Sequence, residues 1–390
     1  MHICAIRPYI PQISKLEHNK LIFSKVPTLR FKQFQDNWSS KRLSDIAEVV
    51  GGGTPDTTDS TLWNGGIQWF TPTEVGHSKY VSMSARTISQ LGLQKSSAKI
   101  LPAGSILLSS RATVGECSIT QKDCTTNQGF QNLIPKKGIN NEFLYYLAQT
   151  QKRHFIKYAS GSTFLEISNS EIKKTKCAIP SIEEQTEIAT FLSSIDRKIE
   201  VQNKIISDLK VLKKELCRKM LSSITEYKTL CELCSITTGK LDANANTPDG
   251  LYPFFTCGKD TLSIDNYAFD GEAILIAGNG DIGHTKYYCG KFNAYQRTYV
   301  LMNFKADAQF IKMGIDTYLP QKISEETQGG AMPYIKLSTL TLLKIPFATE
   351  EKQLSIRNHY NAIVKKVENE MKILDLLLQQ KSYFLNAMFI

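Results

Sequence analysis

The sequence predicts an α+β chain built twice over: two pseudo-repeated mixed α/β domains separated by two long helices that pair as a coiled coil. Three internal matches predict it. KRLSDIAEVVGGGT (41–54) matches KTLCELCSITTGKL (228–241) at an offset of 187. SILLSSRATVGECSI, from Ser105, matches AILIAGNGDIGHTKY, from Ala273, at an offset of 168. IPSIEEQTEIATFLSSIDRKIE, from Ile179, shares its grammar with IPFATEEKQLSIRNHYNAIVKKVE, from Ile345: Ile-Pro, an acidic-Gln step, then a long apolar-periodic helix, the helices again matching at 168. Repeats of this kind set the architecture before any single element does.

Taken in order, residues 1–25 read as an N-terminal extension, with prolines and charges and no continuous apolar run of the kind a signal peptide needs. The first domain, 26–178, opens with a short amphipathic helix. Short strands follow with Gly, Asn and Asp turns, then a polar glycine-containing loop, ASGSTFLEIS. The first copy carries about 19 extra residues between Thr54 and Ser105. Ile-Pro then starts the first spacer helix, 179–224, because proline leaves a ladder and tolerates a helix start. The second domain, 225–344, repeats the plan with QGGAMPYIKLS as its loop, and 345–390 is the second spacer helix.

The helices carry a 3.5-residue seam. In the first it is Ile188, Leu192, Ile195, Ile199, Gln202, Ile206, Leu209, Lys213, Leu216 and Met220. In the second it is Ile356, Tyr360, Ile363, Val367, Glu370, Leu374, Leu377, Lys381, Phe384 and Met388. The polar interruptions fall at equivalent places, Gln202 with Glu370 and Lys213 with Lys381. A seam held this long is a coiled-coil signature, and polar seam residues fix register at some cost in stability.

Motifs for chemistry are sparse. GNGDIG (278–283) fits a dinucleotide fingerprint, but the following HTKYYCGKFNAYQRTYVLM reads as strands and not as the required helix, so a β-turn is the reading. CELC (231–234) has metal spacing without a second ligand pair, and no metal site is expected. No Asn/Asp-Pro-Pro-aromatic stretch, Walker loop or nucleophile–base set is present, so no catalytic residue is assigned and a binding role is expected.

The charge of +10 favours a polyanion, and equally describes a protein that is merely basic. Nine scattered cysteines point to a reducing compartment, the cytoplasm, and no segment has the roughly 20 apolar residues of a membrane span. The candidate DNA contacts lie in the loops after the matched strands. In the first copy they are Trp69, Thr71, Thr73, Ser110, Arg111, Thr113, Asn127 and Gln128. In the second they are Lys240, Asn279, Asp281, His284, Lys286, Tyr295, Gln296 and Arg297. Arg reads guanine, Asn and Gln read adenine, and Lys and backbone amides hold phosphates. Gln128 and Gln296 align, as do Gly115 and Gly283. Both pairs fit shared turns as well as shared contacts.

The chain resembles the specificity subunit of type I restriction–modification systems. The resemblance rests on VPTLRFKQFQDNW (26–38), LSDIAEVVGGGTPDTT with LWNGGIQWFTPTEV, and above all GSTFLEISNSEIKKTKCAIPSIEEQTEIATFLSSID (161–196). It implies two target-recognition domains, each reading half of a bipartite double-stranded DNA site, with antiparallel helices setting the gap. It also implies docking of two methyltransferase subunits that hold S-adenosylmethionine and methylate adenine. Restriction subunits using ATP and Mg would join for cleavage, and this chain would bind no cofactor and catalyse nothing. The competing reading is a structural coiled-coil adaptor with two protein- or ligand-binding heads.

Overall fold

The computed structural model describes residues 13–15, 26–161, 165–327 and 334–390. Of the extension 1–25 only strand Ile13–Lys15 is described, and parts of the two glycine-containing loops lie outside the described residues. Contacts divide the chain into two units. One is Met1–Val201 with Asp375–Ile390; the other is Gln202–Leu374, so each takes a portion of both long helices.

The first unit holds a sheet in the order Ala47–Gly51, Gln131–Pro135, Ile106–Leu108, Cys117–Thr120, Tyr80–Val81. The second holds Ser235–Thr238, Thr298–Met302, Phe269–Ala277, Thr285–Ala294, Tyr252–Phe255, Thr261–Ile264. The first four strands of each form the same antiparallel ladder, and the register is identical. Val49–Leu133–Ile106–Ile119 run across one sheet, and Ile236–Leu301–Ile274–Tyr287 across the other. These pairs differ by the same 187 and 168 residues as the sequence matches, so the repeat holds at the level of single hydrogen-bonded partners. A one-residue slip would turn each buried apolar face to solvent, which is why register is so tightly specified.

Before each ladder stands a short helix, Leu43–Ile46 or Leu230–Leu233, with its first turn capped by Asp45 or Glu232. The extra residues of the first copy contribute to a second sheet, Cys124–Thr126, Trp63–Phe70 and Arg86–Ile88. Trp69 belongs to this core. It is 4% exposed, its ring meets Trp63 edge-on at 5.0 Å, and its Nε1 donates to the Gly53 carbonyl at 2.8 Å. The expectation that Trp69 contacts a base is therefore corrected: the indole is needed to close the hydrophobic layer and has its polar atom satisfied there.

The long helices are Ile182–Ser222 and Glu350–Ala387, and their first residues are again 168 apart. All twenty seam positions are buried or half-buried. In the first unit Phe191 meets Phe384 at 4.9 Å and Asp196 meets Lys381 at 2.7 Å. In the second, Gln202 donates to the Glu370 carboxylate at 2.6 Å and its carbonyl at 2.9 Å, while Lys213 lies over Tyr360. Within each unit, numbering rises along one helix as it falls along the other, so the segments are antiparallel.

The Ile-Pro steps, by contrast, do not occupy equivalent places. Pro180 follows strand Lys176–Ile179, whereas Pro346 is the last residue of strand Lys344–Pro346 and pairs with Tyr227. What is equivalent is the glutamine. Gln185 Nε2 donates to the Pro180 carbonyl at 3.0 Å, and its Oε1 accepts from the N–H of Asn140, which caps helix Asn141–Thr150. Gln353 Nε2 donates to the Ala348 carbonyl at 2.6 Å, and its Oε1 accepts from Asp307 N–H, the residue before helix Ala308–Thr327, at 3.0 Å. Each long helix is pinned to its domain by one buried amide that serves as donor and acceptor. The first copy adds a buried bidentate pair, Arg30 to Glu184, with both bonds at 2.7 Å.

Candidate nucleic-acid interface

Three loops meet at one end of each ladder, and backbone bonds lock them in the same way in both copies. Ser110 N–H donates to Gly129 as Gly278 does to Arg297, and Ile167 N–H donates to Ser110 as Ile335 does to Gly278. Gly115 and Gly283 close the middle loop at φ of 87° and 79°. A Cβ on either would come within 2.7 Å of a neighbouring side chain, so glycine here is required by the turn. At the tip, Ala112 takes φ 62° where the second copy has Gly280 at 63°. An alanine held in this region costs about 1–2 kcal/mol, and such strain is concentrated where a loop has a task.

In the first unit the loops frame a cleft of about 260 Å3 lined by Pro72, Arg111, Ala112, Asn127, Gln128 and Gly129. Arg111, Thr113, Thr73 and Gln128 are exposed around it. Gln128 is steadied by the Thr54 hydroxyl, which donates to its Oε1. Arg111 lies 3.9 Å from Glu166, a loose pairing of two half-exposed groups. Asn127 works first as a turn former, its Oδ1 accepting from Gly129 N–H at 2.9 Å. Thr71 caps the turn Pro72–Glu74 through Glu74. Ser110 is fully buried, so its assignment as a contact is corrected as well: the residue holds the loop through its backbone.

In the second unit Gln296 donates to Asp242 at 2.8 Å, the counterpart of the Gln128–Thr54 contact. Thr54 and Asp242 were not among the expected residues; each follows the first ladder strand, and only the fold brings that loop under the paired glutamine. Lys240, Asp281, His284 and Arg297 are exposed, and Asn279 and Tyr295 half-buried. The side chains of Lys240 and Arg297 make no ion pair among the described residues. Lys286 is turned away onto the Asp260 carbonyl at 3.1 Å, and burial lowers its pKa. The 278–283 segment is the turn of an antiparallel hairpin with no helix after it, so it presents no dinucleotide cradle. Among the described residues no cluster of His, Cys, Asp or Glu gathers to hold a metal, and Cys234 of the CELC stretch is buried.

Where the copies coincide they build turns, and where they diverge the side chains are mostly exposed: Arg111 against Asn279, Thr113 against Asp281, Gly129 against Arg297. Such a surface offers guanidinium, amide, hydroxyl and carboxylate groups on a fixed frame, with a different set in each unit. That suits reading base edges of two different sequences.

The chain is similar to proteins of one kind. It aligns at 38% identity over 196 residues with the type I restriction enzyme MjaIX specificity subunit of Methanocaldococcus jannaschii, covering 49% of this chain and 45% of that one. The EcoDI specificity subunit of Escherichia coli is 37% identical over 164 residues, 42% of this chain and 36% of that one. The chain thus spans less than half the length of these curated relatives. A putative Mycoplasma pneumoniae type I specificity subunit aligns at 23% over 80% of this chain and 84% of its own. Among solved structures, the S subunit of a type I restriction–modification system from M. genitalium shares the fold. Its TM-score is 0.56 at 18% identity, over 94% of this chain and 99% of that one. A chain from a structure of type I restriction–modification complex assembly gives a TM-score of 0.59 at 14% identity, over 90% and 96%. The family model for the type I restriction modification DNA specificity domain matches twice, at residues 35–211 and 224–379, and the chain belongs to that family.

Proposed function

We propose that this chain is the sequence-specific DNA-binding subunit of a type I restriction–modification complex. The domain at 26–178 reads one half of a bipartite site and the domain at 225–344 the other. The spacer helices, 179–224 and 345–390, set the gap and dock two methyltransferase subunits. Adenine methylation and its S-adenosylmethionine belong to those subunits, and ATP- and Mg-dependent cleavage to restriction subunits. This chain supplies recognition, has no catalytic group of its own, and works in the cytoplasm. Burial pushes the thiols of Cys117, Cys177 and Cys234 up to about 12, which keeps them protonated and unreactive.

One observation carries the reading. A single scaffold, repeated in identical register, exposes different side chains at equivalent loop positions. An adaptor with two binding heads needs no such divergence on an unchanged frame. Salt titration of binding to duplex DNA tests it. A reader that neutralises several phosphates loses affinity with a log–log slope of roughly −0.9 per phosphate, whereas an adaptor shows no DNA affinity to titrate.

A further inference from the structure

A cavity of about 460 Å3 opens in the second unit where the end of helix Ile182–Ser222 meets helix Ala308–Thr327 and the start of helix Glu350–Ala387. Lys213, Lys214 and Arg218 line it, with Asp316 and Tyr360. The one carboxylate is already engaged, since Asp316 accepts from the Thr285 hydroxyl and pairs with Lys312 at 2.7 Å. Lys213 has no carboxylate within ion-pair distance among the described residues; its Nζ sits 5.6 Å from the Tyr360 ring centroid.

The other copy shows that the fold does not need this charge. There Lys381, the counterpart of Lys213, is neutralised by Asp196 at 2.7 Å, and the position equivalent to Asp196 in the second copy is Val364. The matching hollow of the first unit has Ser382 and Asn386 where the second has Lys214 and Arg218; its own cations, Lys152 and Arg153, stand where the second has Pro320 and Gln321, and Lys152 is paired with Glu116. The long-helix positions of Lys214 and Arg218 therefore need no cation for the junction to pack. The second copy places three cations of one long helix, Lys213, Lys214 and Arg218, around its cavity, and none of the three makes an ion pair among the described residues. Clustered like charges destabilise a fold unless something of opposite sign joins them. Two ammonium groups and a guanidinium fork suit a phosphate group, the fork supplying paired donors and the lysines point charges. The Tyr360 hydroxyl, protonated at neutral pH, lines the same cavity.

We propose that this cavity is a phosphate-binding site, filled either by the backbone of bound DNA or by a free phosphate compound. The DNA source rests on the function proposed above; the free-phosphate source does not.

The test uses the full chain and the variant Lys214→Ala/Arg218→Ala, both exposed positions, with Lys213→Met as a second variant. One arm follows the shift in melting temperature on adding pyrophosphate; the other follows the salt dependence of duplex DNA binding. Loss of the pyrophosphate shift with an unchanged salt slope assigns the site to a free phosphate compound. A slope reduced by about one, with affinity weakened uniformly across sequences, assigns it to the DNA backbone. If neither arm differs from wild type in either variant, the inference is overturned. A wild-type chain that fails to bind DNA removes the proposed function but leaves the pyrophosphate arm decisive.

Discussion

Gln185 and Gln353 are polar residues near the start of amphipathic helices, and nothing in their spacing says that they are buried. The structure makes each a two-way clamp between helix and domain. Gln185→Leu removes the acceptor of the part-buried Asn140 N–H and orphans a buried carbonyl on Pro180. The expected loss is about 1–3 kcal/mol for each group, read from the urea midpoint. The same substitution at exposed Gln380 is the control and should change little. Arg297→Ala should cost about 1–3 kcal/mol of DNA affinity and relax the second half-site only, measured by binding to a library of half-site variants. The polar loops were legible in the sequence because turn residues cluster between apolar runs. Trp69 and Ser110 were misplaced because residue type says what a side chain can contact, and only tertiary packing says whether it is exposed.

At the scale of elements, the seam was legible because a 3.5-residue period survives in sequence, whereas partner choice was not. Gln202 and Glu370 stood out as matched interruptions, and the structure adds that they face one another. Lys381 finds Asp196, a residue outside the seam. Hydrogen bonds from Lys366 and from Gln202 hold the Glu370 carboxyl below its ordinary value of 4.5. A depressed carboxylate contributes stability above its unfolded pKa and loses it as pH falls through the folded value. Glu370→Gln should therefore be less stable than wild type near neutrality, and the difference in denaturant midpoint should close as pH is lowered from about 6 toward about 3. Replacing both Gln202 and Glu370 by leucine should raise stability while loosening register, since a buried polar pair is held at a cost in stability. The Ile-Pro step shows the opposite limit: a shared dipeptide marked the right region, but the two copies place their last strands two residues apart relative to it.

For the whole molecule, the repeat offsets of 187 and 168 residues marked both strand ladders and both long helices in the sequence, and identical sheet registers follow from them. Which bases each unit reads is not legible, because the divergent loop residues have no counterpart from which to infer a partner. If the helices act as a spacer, adding one heptad to both at the same level preserves the seam and lengthens each by about 10 Å. The gap between half-sites should then grow by about three base pairs at roughly 3.4 Å each, with the half-sites unchanged. The most direct test of the central claim is to co-express the chain with its methyltransferase subunit and map modified adenines across the host genome. The account expects one bipartite motif, two different half-sites at a fixed gap, that disappears when this chain is omitted. Methylation that is absent, confined to a single continuous motif, or unchanged without this chain would contradict it.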